Sequence, residues 1–243
     1  MFSKTAADRA VKFFRQLKHS TGEWAGKPFN LQDWQEADIL RPLFGTLNPD
    51  GCRQYRMCYV EIPRKNGKTE VGAGVALYLL YADSETGAQV YSAAGDRAQA
   101  GLVYQAAAPM VRQSPPLNKR SKIIDSVKRI VNYNSNSFYQ VLSAEAYSKH
   151  GINAHGICFD ELHTQPNREL WDVLTTSGGA RRQPLTFVMT TAGWDRNSIA
   201  WEIHDYACKV RDGIVTDPTF LAVIYAADEK ADWTDEDLWK KVN

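Results

Sequence analysis

Apolar positions along the chain switch repeatedly between a period near 3.6 and a period near 2, and the switches mark out alternating helices and strands. Thr5-Ala6-Ala7-Asp8 has the spacing of a capping box with Asp in the last place. Ala10, Phe13, Phe14 and Leu17 follow at helical spacing, so a helix is predicted to end near His19, before Gly22. Phe29, Leu31 and Trp34 are interleaved with the amides Gln32 and Gln35, ahead of a helical stretch to Leu43 that stops at Gly45. Asn48-Pro49-Asp50-Gly51 signals a turn, and residues 54–62 then read as a strand. Val71, Val75, Ala76, Leu79 and Leu80 predict an amphipathic helix to about Ala82, broken by Gly87. A short buried strand is expected over 88–94 and a second long helix over 96–113, stopped by Pro115-Pro116. Short strands follow at 122–127, 129–133 and 138–142, the last two joined by an Asn/Ser turn. The remaining pattern predicts an apolar strand ending at Asp160, a helix over 167–176, a strand over 185–190, a helix over 197–211 and a strand over 220–226. Thr234-Asp235-Glu236-Asp237 caps a last short helix.

Strands alternating with helices imply an α/β fold, with a mainly parallel central sheet flanked by helices. No repeat, low-complexity run or linker interrupts the chain, so residues 1–243 read as a single domain, with 1–45 as an N-terminal helical segment. A hydrophobic content of 44% over 243 residues suffices for one large buried sheet but is short for two complete domains. The formal net charge of +1 excludes a bulk polycation, so any nucleic-acid contact must come from local patches. Cys52, Cys58, Cys158 and Cys208 lack metal-ligand spacing and read as reduced thiols. With no signal-peptide core and no bilayer-length apolar run, a soluble intracellular protein is expected. The pattern stops at Asn243 without a closing turn, which predicts a further domain beyond it.

Two stretches carry chemistry. The first is Tyr59-Val60-Glu61-Ile62-Pro63-Arg64-Lys65-Asn66-Gly67-Lys68-Thr69: a short strand, a tight polar loop and a helix start. Such a loop aims several backbone N–H groups at one point, where the helix N-terminus adds partial positive charge. Gly67 lets the backbone approach phosphates, Lys68 can reach a β/γ-phosphate, and the Thr69 hydroxyl can sit on Mg²⁺. Ile62 occupies the slot of the first glycine in the P-loop pattern.

The second is Gly156-Ile157-Cys158-Phe159-Asp160-Glu161-Leu162-His163, an apolar run ending in two adjacent acids. Asp160 is placed to hold Mg²⁺ through water, and Glu161 to orient and deprotonate an attacking water. P-loop first and acid pair roughly 90 residues later is the order of parts in an ATPase. Thr190-Thr191-Ala192-Gly193 then close a core strand with hydroxyls placed to sense a γ-phosphate. Gln35 offers a donor and an acceptor together, as an adenine edge requires, although a helix cap beside a buried Trp34 accounts for the same residues.

Trp34-Gln35, the loop from Pro63 to Thr69, Tyr91-Ser92-Ala93-Ala94, Phe159-Asp160-Glu161-Leu162-His163 and Thr190-Thr191-Ala192-Gly193 fall in one order. In this the chain resembles the N-terminal ATPase domain of a large terminase subunit, the DNA-packaging motor of tailed bacteriophages. The resemblance extends from about Phe29 onward. It implies a RecA-like ASCE P-loop core that uses ATP and Mg²⁺. It also implies assembly as a ring, commonly a pentamer, on the portal protein of a procapsid in the host cytoplasm. Double-stranded DNA and a small terminase subunit are the other implied partners, and the subunit in dilute solution is expected to be a monomer. DNA cleavage in the family belongs to a C-terminal nuclease domain, so none is expected of this chain.

Carried over residue by residue, the resemblance puts Trp34 and Gln35 at adenine and Arg64, Lys65, Asn66, Gly67, Lys68 and Thr69 around the phosphates. Thr69 and Asp160 fall on Mg²⁺, Glu161 is the base, and Thr190, Thr191 and Ala192 form the coupling motif. Arg64 matches a loop arginine acting on the γ-phosphate within its own subunit. Ser148-Lys149-His150-Gly151 stands where many relatives carry an arginine before glycine, which leaves the cation supplied by a neighbouring subunit open. Lys149, Arg181 and Arg182 are candidates, with Arg97 and Arg129 as further options. Two rival readings use the same residues. Asp160-Glu161-Leu162-His163 also spells a helicase D-E-x-H box, but a helicase needs a second RecA-like domain that this length cannot hold. A module that binds ATP only to hold a ring together would not need the second acid.

Overall fold

The computed structural model describes residues 1–95, 97–142, 151–193, 195–227 and 234, without the side chain of Arg97. Lys149, the final short helix and the acidic residues expected there lie outside the described residues.

Helix α1 (Lys4–Arg15) opens the chain, capped by the Ser3 hydroxyl, which accepts from Ala6 N. The expected Thr5 cap is thus displaced by two residues. Ser3 N donates to Gly45 O, and this tertiary tie fixes where the helix begins. A π-helical turn, Gln35–Leu40, runs into α2 (Arg41–Gly45). Strand β1 (Met57–Glu61) leads into the loop and α3 (Lys68–Tyr81). Then come β2 (Gln89–Ala93), α4 (Arg97–Arg112), α5 (Pro115–Asn118), β3 (Ser121–Ile124), β4 (Arg129–Asn132) and β5 (Ser137–Leu142). The chain continues through β6 (Gly156–Asp160), α6 (Glu169–Thr176), β7 (Leu185–Thr190), α7 (Ile199–Arg211) and β8 (Phe220–Ile224).

The eight strands form one sheet in the order β3-β4-β5-β2-β6-β7-β1-β8. Pairings from β5 across to β8 are all parallel, and only the β3-β4-β5 edge is an antiparallel meander. Strand β7 lies between the loop strand β1 and the acidic strand β6, which brings the ends of all three to one crevice. The first strand is shorter than the sequence pattern indicates, because Gln54 is engaged outside the sheet, its N–H donating to Thr46 O.

Alternation along β1 shows how the layers are built. Cys58 and Val60 face one core cluster with α3 and α4, while Tyr59 points into a second with α6 and α7. Helix α3 is buried on nearly every side rather than amphipathic, since α1 covers the face turned away from the sheet. Gly74 permits that contact: a Cβ there would lie 2.3 Å from the Phe14 ring. No described helix is long and apolar enough to cross a membrane.

Candidate active site

Beyond Glu61 the chain does not turn at once. Ile62 N donates to Thr190 O, so Ile62 extends the sheet by one residue where the P-loop pattern has glycine. The turn is made later, by Lys65 (φ 70) and Gly67 (φ 72), both in the left-handed region. A β-carbon is tolerated at Ile62 because the sharp bend has moved on. Lys68 then opens α3 with its side chain folded back into the loop, where Nζ donates to Pro63 O at 3.0 Å and Ile62 O at 3.3 Å. Burial, with help from nearby Arg64, lowers the Lys68 pKa against the pull of Glu161 and Asp160.

Across the crevice, β6 delivers Asp160 and Glu161. Thr69 Oγ1 donates to Asp160 Oδ2 at 3.0 Å, while Asp160 Oδ1 is buried with no partner among the described residues. Burial pushes the Asp160 carboxyl up to about 6, opposed by the Thr69 hydrogen bond and reinforced by the neighbouring Glu161 charge. A hydroxyl beside a carboxylate with a spare buried oxygen suits a hard, oxygen-seeking ion. Among the described residues no cluster of three or more His, Cys, Asp or Glu could hold a metal by itself. The Thr69–Asp160 arrangement fits Mg²⁺, which usually takes one or two protein oxygens and completes its shell with water and phosphate.

Glu161 leaves the strand at φ 52, an uncommon conformation for a residue with a side chain. Its Oε1 lies 3.8 Å from Lys68 Nζ. Its Oε2 accepts from Thr191 N at 3.2 Å and Thr191 Oγ1 at 3.3 Å. The expected base and the expected coupling motif are therefore in direct contact. Arg64, Lys68, Thr69, Glu161 and His163 border a cleft of about 490 Å³. Ala192 faces away from it, into a second cavity of about 290 Å³ shared with Glu61 and His204.

Gln35 is buried beside the loop, but its amide serves the protein: Oε1 accepts from Gln32 N at 3.0 Å and Nε2 donates to Asn66 O at 3.2 Å. Trp34 rests against Tyr225 with ring centroids 5.2 Å apart, tying the end of β8 to this segment. Arg64 and Lys65 are exposed at the loop's crest.

Arg181, one of the candidate cations for a neighbouring subunit, is engaged within its own chain. Its guanidinium donates to Asn153 O, Glu85 Oε1 and Gly87 O, at the edge of the sheet where β2 and β6 begin, opposite the loop. Arg182 lies on the same edge, donating to Asp50 O at 3.0 Å. Arg129 stacks on Phe138 at 3.8 Å from the ring centroid.

Two participants were not singled out from the sequence. His163 stands against both Glu161 and Thr190. Glu70, also at the cleft, is gripped by His19 Nδ1 at 2.7 Å and by Ser20 N and Oγ at 3.0 Å each. Both sit beside a motif residue, but neither motif demands that residue type.

A family model for the ATPase domain of the terminase large subunit matches residues 33–209. The chain belongs to this family. The terminase large subunit of Enterobacteria phage HK97 is 31% identical over 98% of the chain, which spans 46% of that relative. The chain thus corresponds to about half the length of that terminase. Protein YmfN of Escherichia coli K12 is 32% identical over 38% of the chain and 20% of its own length. The crystal structure of the HK97 large terminase superposes with a TM-score of 0.83 at 28% identity, covering all of this chain and 48% of the other. The large terminase ATPase domain of Thermus phage P74-26 gives 0.50 at 14% identity, over 65% and 70% of the two chains, a likeness of fold alone. The terminase ATPase fold seen here is RecA-like, in line with the resemblance read from the motifs.

Proposed function

We propose that this terminase domain hydrolyses ATP with Mg²⁺ and that the hydrolysis drives double-stranded DNA into a procapsid. The observation that carries this reading is the meeting in one cleft of Lys68, the Thr69–Asp160 pair and Glu161, with Glu161 hydrogen-bonded to Thr191.

In this reading ATP phosphates draw Lys68 off the Pro63 and Ile62 carbonyls, and the loop N–H groups up to Thr69 close around them. Thr69 and Asp160 hold Mg²⁺, which when bound neutralises charge on the β/γ-phosphates. Glu161 orients the attacking water and takes its proton. Arg64 adds positive charge at the γ-phosphate from within the subunit. Gln35 braces Asn66 and, with Trp34, borders the adenine, using the amide N–H and lone pair its internal bonds leave over. Thr190, Thr191 and Ala192 transmit loss of phosphate, since Glu161 and Thr191 share hydrogen bonds.

The partners that follow are double-stranded DNA, the portal protein, a small terminase subunit and further copies of this chain in a ring. The place of action is the host cytoplasm at the portal vertex. We further propose that residues 1–243 form one motor domain and do not cut DNA. Phosphate release measured with and without double-stranded DNA, on the parent and on Glu161→Gln, tests the central reading. A parent that releases none, or a variant as fast as the parent, overturns it.

A further inference from the structure

His163 follows Glu161 by two residues, on the short 3₁₀ turn Leu162–Thr164, and lines the same cleft. Its Nδ1 lies 3.1 Å from Thr190 Oγ1 and 3.3 Å from Glu161 Oε2. A hydroxyl has one hydrogen to give, and Thr190 gives its own to the Thr191 carbonyl at 2.9 Å. Toward His163 the Thr190 oxygen can only accept. The Nδ1–H tautomer is the one that satisfies both neighbours, since the Glu161 carboxylate oxygen 3.3 Å away can also only accept.

Two hydrogen bonds, from Thr191 N and Thr191 Oγ1, converge on Glu161 Oε2, and His163 Nδ1 lies 3.3 Å from the same oxygen. The other oxygen, Oε1, lies 3.8 Å from the Lys68 ammonium. When Lys68 moves to phosphate, Oε1 is the oxygen left open to the cleft, while Oε2 stays bonded to Thr191.

Backbone alone does not aim this side chain, because Glu161 sits at the end of a strand in a sparsely populated conformation. The stem of His163 is closely packed. A Cβ placed on Gly193 would lie 3.2 Å from His163 Cβ, so the segment after the coupling motif packs closely on it.

We infer that His163 is a positioning residue whose Nδ1–H, shared between Thr190 and Glu161, turns Glu161 so that Oε2 faces the coupling strand and Oε1 receives the proton. The inference rests on the ATPase reading of the cleft. In the step it serves, water gives one proton to Glu161 Oε1 while its oxygen bonds the γ-phosphorus. The bond to the bridging oxygen breaks, and ADP leaves with that electron pair. The same histidine then links the base to Thr190, so a change in either is felt by the other.

Asn and Gln in place of His163 separate this role from simple packing. Asn sets its amide N–H near the position of Nδ1, whereas Gln sets its own near Nε2. His163→Gln is expected to lower kcat for ATP about 10–100-fold, the scale of a misplaced catalytic group. KM for ATP should stay within about twofold, because phosphate binding does not use this ring. His163→Asn should keep kcat within about threefold of the parent. Melting temperatures of both variants confirm folding, and both are polar replacements at a partly exposed site. A His163→Gln chain as fast as the parent overturns the inference, as does equal loss in the Asn and Gln variants. A parent that releases no phosphate overturns the ATPase reading as well, an outcome distinct from an active parent with an indifferent variant.

Discussion

Thr69 Oγ1 donates to Asp160 Oδ2 at 3.0 Å, joining the loop to the acidic strand across 91 residues of sequence. The bond leaves Asp160 Oδ1 buried without a partner among the described residues, and burial holds the carboxyl up at about 6. The folded value lies above the ordinary 3.8, so between the two the folded state binds more protons. Stability of the metal-free chain should therefore fall as pH rises through that window and stay lowered above it. Asp160→Asn removes the buried charge and should raise unfolding stability at pH 7.5 by about 1–3 kcal/mol. The gain should vanish below about pH 4. Denaturant unfolding of both chains in EDTA at the two pH values checks this. The same variant should lose any stabilisation by Mg²⁺ and ATP.

Glu161→Gln keeps shape and hydrogen bonding but removes the base, so turnover should drop by about 10²–10⁴-fold while ATP still binds. Lys68→Ala should instead weaken binding, since the phosphates lose their cation. Equilibrium binding of a fluorescent ATP analogue beside single-turnover hydrolysis distinguishes the two. Parent-rate hydrolysis by the Gln variant would remove Glu161 from the role of base.

The sheet was legible wherever burial alone decided the pattern. Residues 185–190 read as an apolar run because β7 is covered on both faces, and Leu185–Thr190 is the strand. Ends set by tertiary contacts were not legible. Ser3 takes the cap expected at Thr5 because Gly45, more than forty residues away, holds its N–H. The π-helical turn after Trp34 has no signature in residue type. In the candidate site the motif residues met as their order implied, since strands fix them at one edge of the sheet. The partners of Arg181 were not legible for a different reason: basic pairs look alike in sequence, and the fold shows Glu85 and two carbonyls accepting from this one. His163 was legible only as a letter in Asp160-Glu161-Leu162-His163, because its partner Thr190 lies on another strand.

Glu61, at the foot of the loop, accepts from Tyr59 Oη at 2.6 Å and from His204 Nδ1 at 2.8 Å. The hydrogen bond to Glu61 raises the His204 pKa above 6.5. Burial works to raise Glu61, but the bonds from His204 and Tyr59 outweigh it and bring it below 4.5. The His204 contribution is complete below its unfolded value and lost as pH rises through its raised one. The Glu61 contribution is present above 4.5 and lost as pH falls through its lowered one. His204→Ala should thus cost most stability between about pH 5 and 6, about 1–3 kcal/mol, and less above pH 8. Melting curves of parent and variant across pH test it; a pH-independent difference would show that the pair is not ionic.

Arg53 and Asp83 form a buried pair, with guanidinium Nη1 at 3.0 Å from Asp83 Oδ1 and His155 Nε2 at 2.8 Å from Oδ2. Asp83→Ala leaves Arg53 charged and without its carboxylate, at an expected cost of about 3–5 kcal/mol. The pair sits at the edge of the sheet where β1 and β6 begin, away from Lys68 and Glu161. ATP affinity of the folded fraction should be unchanged, and a shift in affinity without loss of stability would contradict this placement.

Specific ATPase activity should rise with protein concentration. In ring ATPases a cation from the neighbouring subunit completes the γ-phosphate site and can be worth about 10³–10⁵ in rate. The described cations at the cleft are Lys68, folded into its own loop, and Arg64 and Lys65, exposed on its crest. If Arg64 supplies charge within the subunit, as proposed, a lone chain should retain slow turnover. Portal or DNA that gathers subunits should steepen the rise. Mixing Arg64→Ala with Glu161→Gln shows where Arg64 acts. If it acts only within its own subunit, the mixture gives the sum of the two separate activities, because every site lacks one of its groups. If it reaches across, turnover reappears where an Arg64→Ala site receives an intact Arg64 from its neighbour. A specific activity that stays flat over about a hundredfold dilution would rule out a cation shared between subunits, since dissociation must withdraw it.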